Sequence, residues 1–465
     1  SQKTLLAMTH KKNSHTALIL IILLFQLGLL VEADAKIVVP VTPALLAPHQ
    51  NVKVVGRRLM TDFDGDGNYT PYLIKGVGYS PYPWARHPSD WGYPLGDPRQ
   101  GNTNFPANIF DDPVILDNDF NLLKAIKANT IRIWSGADNS DPTQPGRFPV
   151  KLTQRLLDKA EQYELKVVAG FWLDHPGDWV CSNNGQGPWV YNQNVSYAPG
   201  SADRARMKQK FAQYVQQFKN HPAILFWAIG NEENLHLRDS NHARDFYNFV
   251  NELAGDAHQI EGPYGHPVAA LSGDVGYIGM PGVADDVTMF NLDIWGINIY
   301  RGSSFGNLFV NYAAISQKPL WPSEFGEDAW HTNDFNNPQN GYEDQTTQAL
   351  RLYSLWQEIQ INFNSSTQVA IGGSVMEFAD EWWKPYEWLC GTMSPQCNSQ
   401  QDYFGTGPAD LSCPKDGVPD WTPASADQFI NDEWWGIFFR QKNSQQPSHD
   451  SMIPRLAAYL LQLIW

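Results

Sequence analysis

Eight short apolar runs, spaced by stretches of helical periodicity, recur over residues 72–378 and constrain the fold more than any other feature. They are YLIKGVGY (72–79), NTIRIWS (129–135), LKVVAGFW (165–172), AILFWAIG (223–230), PVAALSG (267–273), IWGINIY (294–300), PLWPSEF (319–325) and VAIGGSVMEF (369–378). Several are apolar on both faces, which suits parallel strands buried between helices and a core rather than half-exposed antiparallel ones. Between them, Leu152, Leu156, Ala160 and Tyr163 share one helical face, as do Met207, Phe211, Tyr214, Val215 and Phe218. The fifth helical stretch is poor, because YIGMPGVADDVTMFNLD (277–293) is rich in turn formers. Eight such units, with no internal repeat or low-complexity linker, predict an α/β chain forming a single (β/α)8 TIM barrel over residues 71–465. A split into two domains is the alternative. After the eighth strand, residues 381–436 read as a long disulfide-containing insertion, and SMIPRLAAYLLQLIW (451–465) reads as a closing helix.

The flanking segments carry their own signals. From Met8 a basic start at Lys11 and Lys12, an apolar run from Ala17 to Val31 and the small-residue pattern Ala33-Asp34-Ala35 predict a signal peptide over residues 1–35. That run falls short of the ~20 residues a membrane span needs. An N-terminal extension and hairpin follow over residues 36–70. Export agrees with the acceptor triplets Asn68-Tyr69-Thr70, Asn194-Val195-Ser196 and Asn364-Ser365-Ser366. It also places Cys181, Cys390, Cys397 and Cys413 in an oxidising compartment, where three pairings are open and at least one bond within 390–413 is expected. A zinc site is a poor alternative, lacking close Cys pairs. Within DFDGDGNYTPYL (62–73), Leu73 stands where a calcium loop of the EF-hand type needs a bidentate acid, so a Gly-rich turn is expected there.

With 49 acidic against 33 basic residues the net charge is −16, which excludes a general attraction for nucleic acid or for anionic lipid once the leader is removed. Charged residues are only 18%, whereas aromatics reach 13% with 18 Trp, more indole than a core of this size uses. No phosphate-cradling Gly loop, serine elbow or HExxH is present, and neither metal nor cofactor is expected.

In a barrel the functional groups sit where strands end. Those endings are Tyr79; Arg132 and Trp134; Trp172, Asp174 and His175; Asn231 and Glu232; Asp274; Asn298 and Tyr300; Glu324; and Glu377. Two carboxylates, Glu232 and Glu324, each follow an apolar strand directly, a costly place for an ionisable group without a role.

At these endings AIGNE (228–232), WPSEFG (321–326), NTIRIW (129–134) and INIY (297–300) resemble a clan of (β/α)8 retaining glycosidases. The clan includes cellulases, β-mannanases, the β-galactosidase barrel and fungal β-1,3-glucanosyltransferases. The resemblance implies Glu232 as acid/base and Glu324 as nucleophile. It further implies Arg132 and Tyr300 as supports of the nucleophile, and Asn231 as partner of the sugar 2-hydroxyl. Such a pair stands about 5 to 5.5 Å apart, so that one carboxylate attacks while the other protonates the leaving oxygen. Glu233 is expected to be a bystander pointing away from Glu232 along extended backbone, and Glu327, Asp328 and Trp330 to be solvated or to line the substrate. Tyr79, Trp134, Trp172, Asn298, Trp330, Trp382 and Trp383 are the candidate substrate-binding residues, with Trp84, Trp91, Trp434 and Trp435 as further indoles and Trp295 as a strand residue suited to the core. Asp174 and His175 fit either a subsite or a hydrogen-bonded rim pair.

IKGVGYS (74–80) and NTIRIWSGAD (129–138) look like the glucanosyltransferases, while DEWWG (432–436) and PRLAAYLL (454–461) look like the β-galactosidase barrel. The reading favours a secreted β-glucan-active hydrolase or transglycosylase. A β-mannan or β-galactoside hydrolase of the same clan is the alternative. A lectin-like binder would use the same indoles without turnover, and loss of one carboxylate would be its sign; both are present.

If a disulfide staples 381–436, reduction will loosen that segment before the barrel unfolds. Thiol titration of the denatured, unreduced protein is expected to find fewer than four free thiols, and four would dismiss the staple.

Overall fold

The computed structural model describes residues 51–82, 108–134, 151–181, 189–193, 195–331, 341–381, 418–419, 429–430, 434–441 and 450–465. Eight parallel strands form the centre: β1 (Ile74–Gly78), β2 (Thr130–Ile133), β3 (Lys166–Phe171), β4 (Ile224–Ile229), β5 (Val268–Gly273), β6 (Ile294–Asn298), β7 (Leu320–Glu324) and β8 (Gly372–Val375). Their order is β7-β6-β5-β4-β3-β2-β1-β8. The ring is closed by β8 returning to β7, through parallel bridges at Leu320–Ala370 and Phe325–Val375. All eight expected strands are therefore present, each within the apolar run that announced it.

Among the described residues seven α-helices surround the ring: α1 (Pro113–Ala125), α2 (Gln154–Gln162), α3 (Ala202–Phe218), α4 (Ser240–Glu261), α5 (Leu308–Ile315), α6 (Gln345–Asn364) and α7 (Leu456–Ile464). Between β5 and β6 residues 275–292 form turns instead of a helix, as their Gly-rich composition predicts. Polar side chains fix most helix starts. Asp112 accepts from the Val114 and Ile115 amides, Ser201 from Arg204 and Asp239 from Asn241 and His242. Each such cap is worth about 1 kcal/mol. On α3 the face predicted by its spacing is the buried one, carrying Met207, Phe211, Tyr214, Val215 and Phe218. Burying each of these contributes roughly 1.5–3 kcal/mol. No helix among the described residues is long and apolar enough to cross a membrane.

The bottom of the barrel is plugged. Strands Val52–Val55 and Arg58–Thr61 pair antiparallel, and Thr70–Pro71 joins them as a third. Val52 and Leu59 from this small sheet enter one apolar cluster with Ile74, Val168, Leu225, Phe226, Leu271, Ile294 and Trp321. The loop joining its last two strands holds Asp62, Asp64 and Asp66, whose side chains cap its own amides: Asp62 accepts from Asp66 and Gly67, and Asp66 from Asn68.

At the other end, the strand Phe438–Gln441 pairs with Ser451–Pro454 and lies beside the residues that follow β8. Ile437 N–H donates to Glu377 and Phe438 N–H to Phe378. Fully buried Arg455 fastens this return by donating to both oxygens of Asp380, to Glu343 and to the Gly436 carbonyl. Of the cysteines, Cys390, Cys397 and Cys413 lie outside the described residues, as does most of 381–436.

Tyr79, expected in the cleft, is instead a core residue at 1% exposure. It stacks among Phe110, Phe120 and Phe378 and donates to Asp119 of α1 at 3.0 Å. One residue past β1, its side chain faces the helix layer rather than the barrel axis. Burial pushes the Asp119 carboxyl up to about 7 from 3.8, with the Arg440 cation opposing. The folded chain then keeps a proton that the unfolded chain releases, so this group lowers stability as pH rises from about 4 to about 7. Asp119→Asn removes that slope. Thermal unfolding between those pH values is expected to show the variant gaining on wild type by on the order of a few kcal/mol; parallel curves would refute the assignment.

Candidate active site

Glu324 ends β7 and is 7% exposed, with its carboxylate met by three donors from the ends of β2 and β6. Arg132 Nη1 of β2 donates to Oε1 at 2.7 Å, Trp134 Nε1 donates to the same oxygen at 2.7 Å, and Tyr300 Oη donates to Oε2 at 2.9 Å. Burial, with the anions of Glu324 and Glu232 adding to it, pushes the Tyr300 phenol well above its ordinary pKa, so it stays protonated and remains a donor. Charge-assisted bonds of this kind are roughly twice as strong as neutral ones.

A local break in the β6–β7 ladder makes this arrangement possible. Ile297 faces Pro322 while Asn298 faces Glu324, so the register slips by one residue at Ser323. The slip cancels the usual alternation of faces. Ser323 Oγ and Glu324 can then both reach the polar cluster: Ser323 Oγ donates to Asn298 Oδ1 at 2.8 Å, and the Ser323 carbonyl accepts from Arg132 Nη1 at 2.9 Å. Asn298 is 2% exposed, and its Nδ2 donates to Asn231 Oδ1 at 3.0 Å. Expected to contact substrate, its side chain is buried and bonded to Arg132, Ser323 and Asn231.

Asn231 and Glu232 follow β4. Asn231 Oδ1 accepts from both Arg132 Nη2, at 2.7 Å, and Asn298 Nδ2. Its Nδ2 group is the amide's remaining polar atom. Glu232 adopts a left-handed conformation, φ 66°, and is partly exposed. Such backbone costs a non-glycine residue about 1–2 kcal/mol and is found where a side chain must be aimed. The turn that follows, Glu233–His236, is helical, so Glu233 is not on extended backbone as expected. It is fully buried.

The indoles divide by role. Trp134 was expected to touch substrate, and the structure places its N–H on Glu324. The ring lies against Gly78, where a Cβ would come within 2.5 Å of it, and the Arg132 guanidinium stands 4.9 Å from its centroid. Trp172 is partly exposed and stacks on His175, centroids 5.6 Å apart; His175 in turn lies 4.3 Å from the His236 ring. Trp330 is buried against Trp434 at 4.8 Å and is no free platform. Trp435, one of the further candidate indoles, packs edge-on to Tyr300 at 4.9 Å. Trp295 is in the core at 0% exposure. Trp84, Trp91, Trp382 and Trp383 lie outside the described residues.

Two acids expected to be solvated or to line the substrate are buried: Glu327, which pairs with Arg351 at 2.8 Å, and Asp328. Asp174 forms a rim ion pair with Arg206 at 2.6 Å.

Comparison with known proteins agrees with this architecture. The family model "Glycosyl hydrolases family 2, TIM barrel domain" matches residues 156–256, the segment that runs from α2 through the Asn231–Glu232 turn into α4. Over that stretch the chain is similar to the (β/α)8 barrel domain of glycoside hydrolases. No curated protein matches it. Among solved structures it is similar to a β-glucuronidase of Bifidobacterium dentium complexed with coumarin-3-O-glucuronide, at 15% identity and TM-score 0.50, over 89% of this chain and 49% of that one. A β-glucuronidase of Faecalibacterium prausnitzii follows at 17% identity and TM-score 0.49, over 89% and 51%. Gas2p of Saccharomyces cerevisiae, in complex with laminaritetraose and laminaripentaose, has 16% identity and TM-score 0.46, over 90% and 67%. The chain spans about half the length of the bacterial enzymes, 49% and 51%. At these identities the likeness is one of fold.

Trp134→Phe keeps the ring over Gly78 and removes a single donor from Glu324. A hydrogen bond to a charged group is worth about 1.5–3 kcal/mol. Turnover of an aryl glycoside substrate is expected to fall roughly tenfold to a hundredfold with the melting temperature little changed; unchanged turnover would remove Trp134 from the anion's support.

Proposed function

We propose that the chain is a secreted retaining glycosidase or transglycosylase that cleaves β-linked glycans by double displacement. The convergence of Arg132, Trp134 and Tyr300 on Glu324 carries this reading. Three fixed donors, one of them a buried cation, orient a carboxylate at a strand end, which is what a nucleophile toward an anomeric carbon requires. Glu232, just past the end of β4 and close enough for its charge to act on Tyr300, serves as general acid. It protonates the leaving oxygen as Glu324 forms the glycosyl ester, then takes a proton from water or from an acceptor sugar as the ester breaks. Asn231 holds the 2-hydroxyl through Nδ2, and the partly exposed Trp172 offers a face to a neighbouring sugar ring. The assignment of β-glucan rests on the likeness of residues 74–80 and 129–138 to β-1,3-glucanosyltransferases, and that of secretion on the leader and acceptor triplets. Turnover of a panel of β-1,3-, β-1,4- and mixed-linkage glucans, mannans and β-galactosides tests the sugar and linkage.

The two carboxylates separate in a rescue experiment. Glu324→Ala is expected to lose all turnover, with added azide entering from the vacated face to give a glycosyl azide of inverted configuration. Glu232→Ala with an activated aryl leaving group is expected to show a burst, and azide to release the intermediate with retained configuration. Absence of rescue in both variants would contradict double displacement.

A further inference from the structure

The acid/base turn contains a second glutamate that the reaction described above does not use, and its placement is specific. Glu233 has no exposure to solvent. Its carboxyl folds back beneath the turn, where the Asn231 backbone N–H donates to Oε1 at 2.9 Å and to Oε2 at 2.8 Å. Room for it exists because residue 230 is glycine: at φ 77° a Cβ there would come within 2.4 Å of Glu233 Oε2. One residue further on, Asn234 ties the same turn to β5, donating to the Gly273 carbonyl at 2.9 Å and accepting from the Gly273 amide at 2.6 Å. Glu232 stands between these anchors in its left-handed conformation.

We propose that Glu233 is a positioning residue for the acid/base, its buried carboxyl gripping the Asn231 amide so that the strained turn keeps Glu232 aimed at the leaving-group oxygen. The proposal rests on the reading of Glu232 as acid/base. The Asn231 side chain is held independently by Arg132 and Asn298, so loss of Glu233 falls on Glu232 and not on the sugar 2-hydroxyl contact. Charge agrees with this role. Burial pushes the Glu233 carboxyl up to about 8, against the backbone amides of Glu233 and Asn231 that favour its anion, with the charges of Glu232 and Asp174 adding to the rise. A shift in that direction lessens the negative charge set beside the acid/base, while the carboxyl still accepts from the Asn231 amide. A bystander acid would be solvated and exchangeable; this one is neither.

The test compares substrates by their need for a proton. On the full chain, kcat/KM is measured for an oligosaccharide substrate and for the 2,4-dinitrophenyl glycoside of the same sugar, whose leaving group departs unprotonated. Glu233→Ala is expected to lose about a hundredfold on the oligosaccharide and less than about fivefold on the dinitrophenyl glycoside. Glu233→Gln, which keeps length and an acceptor for the Asn231 amide, is expected to restore the oligosaccharide rate to within about fivefold of wild type. Glu233→Asp is too short to reach that amide and repeats the selective loss should the alanine variant not fold. Equal losses on both substrates, or no loss at all, would overturn the positioning role. So would a Gln variant as impaired as Ala, because the carboxyl would then itself be moving the proton. Glu232→Ala is measured alongside: if it shows no leaving-group selectivity, the acid/base reading beneath the proposal falls, an outcome distinct from equal losses in Glu233→Ala while Glu232→Ala stays selective.

Discussion

Arg132 is 0% exposed, and its guanidinium bonds to groups on three other segments: Glu324 and the Ser323 carbonyl of β7, Asn298 of β6, and Asn231 beyond β4. Desolvating such a cation and a carboxylate together costs several kcal/mol per ion, and the attraction between them offsets that only when the remaining polar groups are satisfied. Replacing a buried pair by packed apolar side chains is often neutral or stabilising, so stability alone does not explain the arrangement. Its effect is to fix a negative charge, shielded from water, at one point on the barrel's upper rim. The bulge at Ser323, the amide of Asn231 and the indole of Trp134 are all placed with respect to that charge.

The barrel was legible in the chain because parallel strands covered on both faces are apolar throughout, as Ile224–Ile229 and Lys166–Phe171 nearly are. The missing helix between β5 and β6 was equally legible, through its glycines and turn residues. The polar ends of the strands pointed to Arg132, Asn231, Glu232, Tyr300 and Glu324, and the structure gathers Arg132, Asn231, Tyr300 and Glu324 into one hydrogen-bonded cluster, with Glu232 on the adjoining turn.

What the chain did not reveal depends on contacts distant in sequence or on breaks in local regularity. Tyr79 follows a strand just as Trp134 does, but faces the helix layer, and only the packing of Phe120 and Phe378 shows this. Trp330 is covered by Trp434, a partner about a hundred residues away. Asn298 and Ser323 act as braces because a one-residue slip undoes the alternation that strand reasoning assumes; Pro322, which has no N–H to give to a ladder, was the available hint. Glu233 is buried because Glu232 is left-handed, a conformation no residue preference would assign to glutamate.

The contact between Gly78 and Trp134 has a consequence for variation in this site. The indole occupies the space any side chain at position 78 would fill, while its N–H reaches the carboxylate across the barrel. The two positions therefore amount to one choice. A chain that enlarged residue 78 would have to give up the indole and find another donor, whereas one that shortened residue 134 would open a gap over the glycine wide enough for a different side chain or for part of a ligand. Paired change at these two positions, rather than drift at either, is the form that divergence of this pocket has to take.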